Sequence, residues 1–196
     1  MSAVEQTLSP HDYLQLERAA EFKSEYHRGT ITLMAGASRN HNRVNESLSI
    51  EIGTRLKGKK CQSFSRDFRL WIPDEEFYTY PDLTIVCGKL ELLDDEFDTM
   101  LNPSTIIEVL SKSTAQYDRS EKFEYYRTIP SFREYVLVDS QRVKIEVWRK
   151  LESPSVWALV QETRRLDDVL QLEALDSPIA LTDIYAQTVG LMQMNP

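Results

Sequence analysis

Six residues, Thr105 to Leu110, form an apolar run interrupted only by Glu108, and no other segment constrains the fold as tightly. Continuous apolar character over this length, without alternation, reads as a strand covered on both faces. Tyr80 to Val86 has the same character after Asp82, and Glu134 to Asp139 supplies a third such segment. Asp118 and Glu121 are spaced as a capping box at the start of a helix holding Phe123, Tyr125 and Tyr126. That helix stops before Pro130, so Thr105–Leu110 reaches Glu134–Asp139 by a helical crossover.

The flanking segments add helices and antiparallel strands. Ser9 to Ala20 reads as an amphipathic helix with Ser9 as cap and Pro10 in the first turn. Glu25 to Ala35 reads as a hairpin turning at Arg28-Gly29, and Gly36 to Asn40 as a loop. From His41 to Leu56, Val44, Leu48, Ile52 and Leu56 recur every four residues, which predicts a helix ended by Gly58. Cys61 to Ile72 alternates through Phe64, Phe68, Leu70 and Ile72 as one strand region, and Pro73 to Glu76 is a turn. Leu90 to Leu101 reads as an irregular acidic connection. Val143 to Arg149 and Trp157 to Val160 extend a meander, and Leu181 to Gln193 is predicted as a C-terminal helix. The order implies an α/β (α+β) fold, a mixed central sheet flanked by helices with an N-terminal helix and extra antiparallel strands. Residues 1–196 are expected to form a single domain, since repeats and linkers are absent. No Gly-rich loop follows a strand, which excludes a phosphate-binding P-loop and a dinucleotide fingerprint.

The 41% hydrophobic and 28% charged fractions are those of a folded globular chain. No apolar stretch has the length of a membrane span, and Met1 to Pro10 lacks a basic segment followed by an apolar one, so a cytoplasmic protein is expected. Cys61 and Cys87 are far apart and are expected to be reduced. A net charge of −8 argues against a non-specific nucleic-acid coat, but not against a nuclease, because acid-rich metal sites themselves lower the net charge. Arg55, Lys57, Lys59, Lys60, Arg66 and Arg69 cluster, as do Glu91, Asp94, Asp95, Glu96 and Asp98; each group reads as a solvated face.

Chemistry concentrates at Asp82, Glu108 and Lys122. A carboxylate within an apolar strand is costly unless paired, hydrogen-bonded or bound to a cation. Asp82 also reads as a turn aspartate entering a strand, and Glu108 as a partner for an arginine across the sheet. Lys122 falls in the first turn of its helix, where the macrodipole disfavours a cation; a solvated pair with Asp118 at the i,i+4 spacing is its alternative. Together the three suit a divalent-metal site acting on phosphate esters, in which carboxylates hold a hard cation and a lysine offsets charge on the phosphate.

Tyr80-Pro81-Asp82-Leu83, Ile107-Glu108-Val109-Leu110-Ser111 with Ser113-Thr114, and Tyr117-Asp118-Arg119-Ser120-Glu121-Lys122 resemble the motifs of the Uma-two family of bacterial restriction endonucleases. The likeness extends to Tyr126, Arg133-Glu134-Tyr135 and Val138-Asp139, and back to Glu25, Gly29, Met34 and His41, covering roughly residues 10 to 185. It implies a branch of the PD-(D/E)XK nuclease superfamily, with a restriction endonuclease-like core. By that resemblance Asp82, Glu108 and the backbone carbonyl of Val109 would bind Mg²⁺ or Mn²⁺. The superfamily lysine normally stands two residues after the glutamate, where this chain has Leu110, and the resemblance implies that Lys122 reaches the same spot from the adjacent helix.

Glu25, His41, Glu46 and Tyr126 are accessory candidates: further acids, a base or substrate contact, and a tyrosine near the site. The commoner reading of the two acids is a surface position, of His41 a helix cap or surface position, and of Tyr126 core packing. The expected activity is metal-dependent hydrolysis of DNA phosphodiester bonds. A catalytically silent nuclease-fold module with a binding or regulatory role is the alternative, and an unrelated metal-dependent hydrolase of a small phosphorylated substrate a remoter one. A duplex substrate and edge strands suit a homodimer.

Overall fold

In the computed structural model, which describes residues 8–151 and 156–192, helix α1 (Pro10–Ala19) opens the chain. Ser9 caps it, its Oγ accepting from the Asp12 N–H at 3.1 Å. Strands β1 (Ser24–His27) and β2 (Thr30–Leu33) follow as a hairpin. Arg28 and Gly29 both take positive φ (46° and 92°), as a two-residue type I′ turn requires. Helix α2 (Arg39–Leu56) buries Val44, Leu48, Ile52 and Leu56 on one stripe. Each such side chain contributes about 1.5–3 kcal/mol by leaving water, and Leu48→Ala would cost about 2–5 kcal/mol.

Next come β3 (Cys61–Ser65), β4 (Arg69–Ile72), β5 (Phe77–Thr79) and β6 (Leu83–Cys87). The single alternating region expected over Cys61–Ile72 is therefore two strands, which belong to different sheets. Alternation reports a half-buried face, not which partner covers it. After β7 (Thr99–Met100) and β8 (Thr105–Leu110), short helices α3 (Ala115–Arg119) and α4 (Glu121–Arg127) cross over to β9 (Glu134–Asp139). β10 (Ile145–Lys150), β11 (Trp157–Thr163), β12 (Val169–Leu170), β13 (Ile179–Ala180) and α5 (Leu181–Ile184) complete the order.

The main sheet runs β11-β10-β9-β8-β6-β3, with β8 and β9 parallel across the helical crossover and its other neighbours antiparallel. A second sheet runs β2-β1-β5-β4-β7, and β12-β13 form a small ribbon. α2 and the segment from Leu170 to Tyr185 cover one face of the main sheet through Leu83, Ile85, Ile107, Val109, Val136 and Val138. On the other face Val86, Ile106, Leu110 and Leu137 pack against α4 and the second sheet. The fold is mixed α+β, with mixed sheets flanked by helices, as the element order implied.

Three further expectations are corrected. Cys61 and Cys87, expected to be reduced, are joined by a disulfide, because the β3–β6 register sets them directly opposite each other. The C-terminal helix stops at Ile184, with Gln187 and Gly190 at positive φ; Gln193 lies outside the described residues. Asp118 does not cap the crossover helix: it lies buried within α3, and Ser120 precedes α4 without a side-chain cap bond. Among the described residues no helix is long and apolar enough to cross a membrane.

Candidate active site

The β6–β8 register pairs Leu83 with Ile107, and one step further sets Asp82 opposite Glu108. Pro81 has no N–H to contribute, and β6 begins only at Leu83. Past the end of that ladder, the Asp82 carboxylate accepts the Val109 N–H at 2.9 Å, and the Asp82 N–H donates to Glu108 at 3.3 Å. In an extended strand the carbonyl of a residue leaves on the same edge as its N–H, so the Val109 C=O leaves on the β6 edge, where its N–H meets Asp82. Glu108 shares its face with Ile106 and Leu110, the side on which α4 lies.

Lys122, expected as a lysine reaching from the adjacent helix, is only 5% exposed. Its Nζ lies 3.0 Å from Glu108, 3.0 Å from Glu25 and 3.9 Å from Asp118. The solvated pair with Asp118 is thereby replaced by a buried cluster. Tyr126, fully buried, donates its hydroxyl to the same Glu108 oxygen at 2.7 Å. His41 sits in the first turn of α2, buried, with Nε2 3.2 Å from Asp82. Glu25 on β1 also accepts from the Thr79 hydroxyl. Of the seven side chains singled out beforehand, six converge here. Glu46 does not: it is exposed on α2 and joins no ion pair or hydrogen bond with the cluster. Asp118 and Thr79 were missed. The i,i+4 spacing from Asp118 to Lys122 was the available signal for the first, and nothing in the sequence marks the second.

The charges do not balance. Glu25, Glu108 and Asp118 face one ammonium, and Asp82 stands a residue away with His41 as its partner. Burial is the main force raising the Glu108 pKa; Asp118 and Asp82 add to it, Lys122 opposes, and the result is about 8. Burial also raises Asp118. Burial works against the charge on Lys122, but Glu108, Glu25 and Asp118 outweigh it and hold its pKa well above the usual lysine range. His41 behaves alike: burial opposes its charge, and Asp82 raises its pKa nonetheless.

Among the described residues no group of three or more His, Cys, Asp or Glu side chains forms a metal cage. Mg²⁺ needs none, since it commonly takes one or two carboxylates and completes its shell with water and phosphate oxygens. The donor set fits that pattern. Asp82 Oδ1 accepts no hydrogen bond from the described residues, Glu108 Oε2 accepts only the long one from Asp82, and a carbonyl lies on the same edge.

Known proteins share this architecture. The crystal structure of a putative nuclease belonging to DUF820 from Anabaena variabilis ATCC 29413 superposes with a TM-score of 0.71 at 16% identity, covering 91% of this chain and 98% of that one. The two chains therefore share one fold. Residues 10–182 match the Uma2 family, described as "Putative restriction endonuclease", and the chain belongs to that family. Two uncharacterized proteins of Synechocystis sp. (strain ATCC 27184 / PCC 6803 / Kazusa) are similar. The protein sll1609 is 39% identical over 149 residues, covering 76% of this chain and 84% of its own length. The protein slr1290 is 33% identical over 178 residues, covering 91% of each.

Proposed function

We propose that the chain is a divalent-metal-dependent endonuclease that hydrolyses phosphodiester bonds in DNA, with Mg²⁺ or Mn²⁺ as cofactor. The observation that carries this reading is the pairing of Asp82 and Glu108 across two strands, with a buried lysine 3.0 Å from Glu108 amid a surplus of acid. Membership of a family described as restriction endonucleases supports it.

Asp82, Glu108 and the Val109 carbonyl would hold the metal. The chemistry such a hard cation would supply there is polarisation of the scissile phosphoryl group and a more acidic bound water. Tyr126 and Lys122 fix the rotamer of Glu108 by holding one of its oxygens, which directs the other towards Asp82. His41 holds Asp82 in the same way. The Lys122 ammonium, kept protonated by its acidic neighbours, stands ready to offset negative charge growing on the phosphate. Arg39, His41 and Arg43 share the opening turns of α2, and Arg66 is hydrogen-bonded to Asn42 beside them. These cations favour a phosphodiester backbone over an uncharged substrate. A two-fold dimer suits cuts on both strands and is checked by light scattering of the purified protein.

The decisive experiment is a cleavage screen over supercoiled plasmid, linear duplex, single-stranded DNA and RNA, in Mg²⁺, Mn²⁺ or a chelator. Asp82→Ala and Lys122→Ala run beside the wild type. Metal-dependent DNA cleavage that falls at least about 100-fold in both variants is expected. Cleavage unchanged in Asp82→Ala would refute the assignment. Leu110, packed into the core where the superfamily lysine stands, favours a second reading: a silent module that binds nucleic acid and cuts none of these substrates.

A further inference from the structure

A cavity of about 360 Å³ opens beside the cluster, within the size range of small-molecule sites. Its walls include His27 and Glu25 from β1, Phe77 from β5, and Tyr117, Glu121 and Tyr125 from α3 and α4. The Tyr125 ring lies 4.6 Å from His27 and 5.2 Å from Phe77, centroid to centroid, so the wall is an aromatic surface. The charged groups are all carboxylates. Glu121 has no ion-pair partner among the described residues, and Glu25 uses one oxygen for both Lys122 and Thr79. Thr30 and Thr32 close the rim from the exposed edge strand β2.

This chemistry repels an anion and welcomes a flat, π-rich ligand that donates hydrogen bonds. The cavity is also joined to the cluster, because Glu25 lines the one and holds Lys122 in the other. We propose that it receives an unstacked nucleobase bearing an exocyclic amino group, from the strand whose backbone lies at Asp82 and Glu108. The inference rests on the nuclease reading and adds to it a base-reading subsite. The aromatic wall stacks the base, and the Glu25 and Glu121 carboxylates accept from the amino group of cytosine or adenine, which thymine lacks. An organic cation would also suit acidic and aromatic walls. Continuity with the phosphodiester site favours the base.

The test uses fluorescence anisotropy with end-labelled oligodeoxycytidylate, oligodeoxyadenylate and oligothymidylate, in Ca²⁺. Cleavage of the same oligonucleotides is followed in Mg²⁺. Wild-type protein is expected to bind the amino-bearing strands more tightly than oligothymidylate. Tyr125→Ala, which removes a stacking face, should weaken that binding about 5- to 150-fold and erase the preference. Thr32→Trp fills the cavity from an exposed position, so it reports on the cavity even if Tyr125→Ala does not fold. Both variants should raise KM for cleavage and leave kcat near wild type. Equal binding of all three strands, or variants that bind as the wild type does, would overturn the proposal. So would spermidine binding that Thr32→Trp abolishes while oligonucleotide binding is untouched. Binding with the expected preference but without cleavage would sustain the subsite and sink the nuclease reading instead.

Discussion

Around Arg18 and Arg69, α1 and the acidic 90–101 connection build one charged network; around Lys122, α4 and the main sheet build another. In the first, Arg18 lies 2.8 Å from both Asp94 and Asp98, and Arg69 lies 3.2 Å from Asp98. Glu17 completes it with neutral donors, accepting from the Ser24 backbone and hydroxyl and from Tyr80. There two arginines match the two aspartates, and Glu17 has its own set of donors. The hydrogen bond from Arg18 is the main reason that Asp98 is held well below the usual carboxylate range. In the second network one lysine serves three acids with a fourth close by, and Glu108 is pushed the other way, to about 8. A balanced network holds a fold together. A buried surplus of acid costs stability, and under the proposed function a bound cation would offset it.

The contrast breaks most readily at Lys122. Lys122→Met should cost about 3–5 kcal/mol in urea unfolding, since Glu25, Glu108 and Asp118 lose the buried cation they share, and cleavage should vanish with it. Glu108→Gln sharpens the contrast from the other side, removing activity while leaving stability unchanged or raised. The pH dependence supports the same distinction. A carboxyl whose folded pKa is raised stabilises the fold below its unfolded pKa and loses that contribution as pH rises through the folded value. The metal-free protein should therefore lose stability between about pH 4 and pH 8. Thermal melts of Glu108→Gln should be flatter across that window, and Mg²⁺ should raise the wild-type Tm more at pH 8 than at pH 6. A wild type whose melts show no such slope would remove the surplus-charge argument.

The balanced network predicts smaller effects of opposite sign. Asp98→Asn should destabilise by about 1 kcal/mol at neutral pH, because Asp98 is one-third exposed and screened. Its pKa is depressed, so its contribution is present above about pH 4 and fades as pH falls below that value. The difference between wild type and variant should narrow in acid. Arg18→Ala should cost least, about 0.5–1 kcal/mol, and less in high salt.

Much of this was legible in residue order. The apolar runs around Glu108 and Val136, the four-residue spacing from Val44 to Leu56 and the Arg28-Gly29 turn each predict a local conformation, and each forms. Asp82, Glu108 and Lys122 stood out because burial is costly for them in any context. The C-terminal helix failed locally, stopping at Ile184; the other failures share one cause. Strand alternation did not reveal that β3 and β4 join different sheets, capping spacing did not reveal that Asp118 turns inward to Lys122, and separation along the chain hid the disulfide between Cys61 and Cys87. The acidic 90–101 run, read as a solvated face, is tied down through Asp94 and Asp98 by Arg18, about 80 residues away.

The sequence by itself determined most of the long helices and buried strands and which charged residues are expensive to bury, because both follow from local chemistry and solvation. Only the tertiary structure decided which of those charges meet. It set Asp82 opposite Glu108 through strand register, brought Lys122 under them by the crossover, and left Glu46 in water on the outside of α2. Pairing depends on distances between elements that neighbours in the chain do not encode.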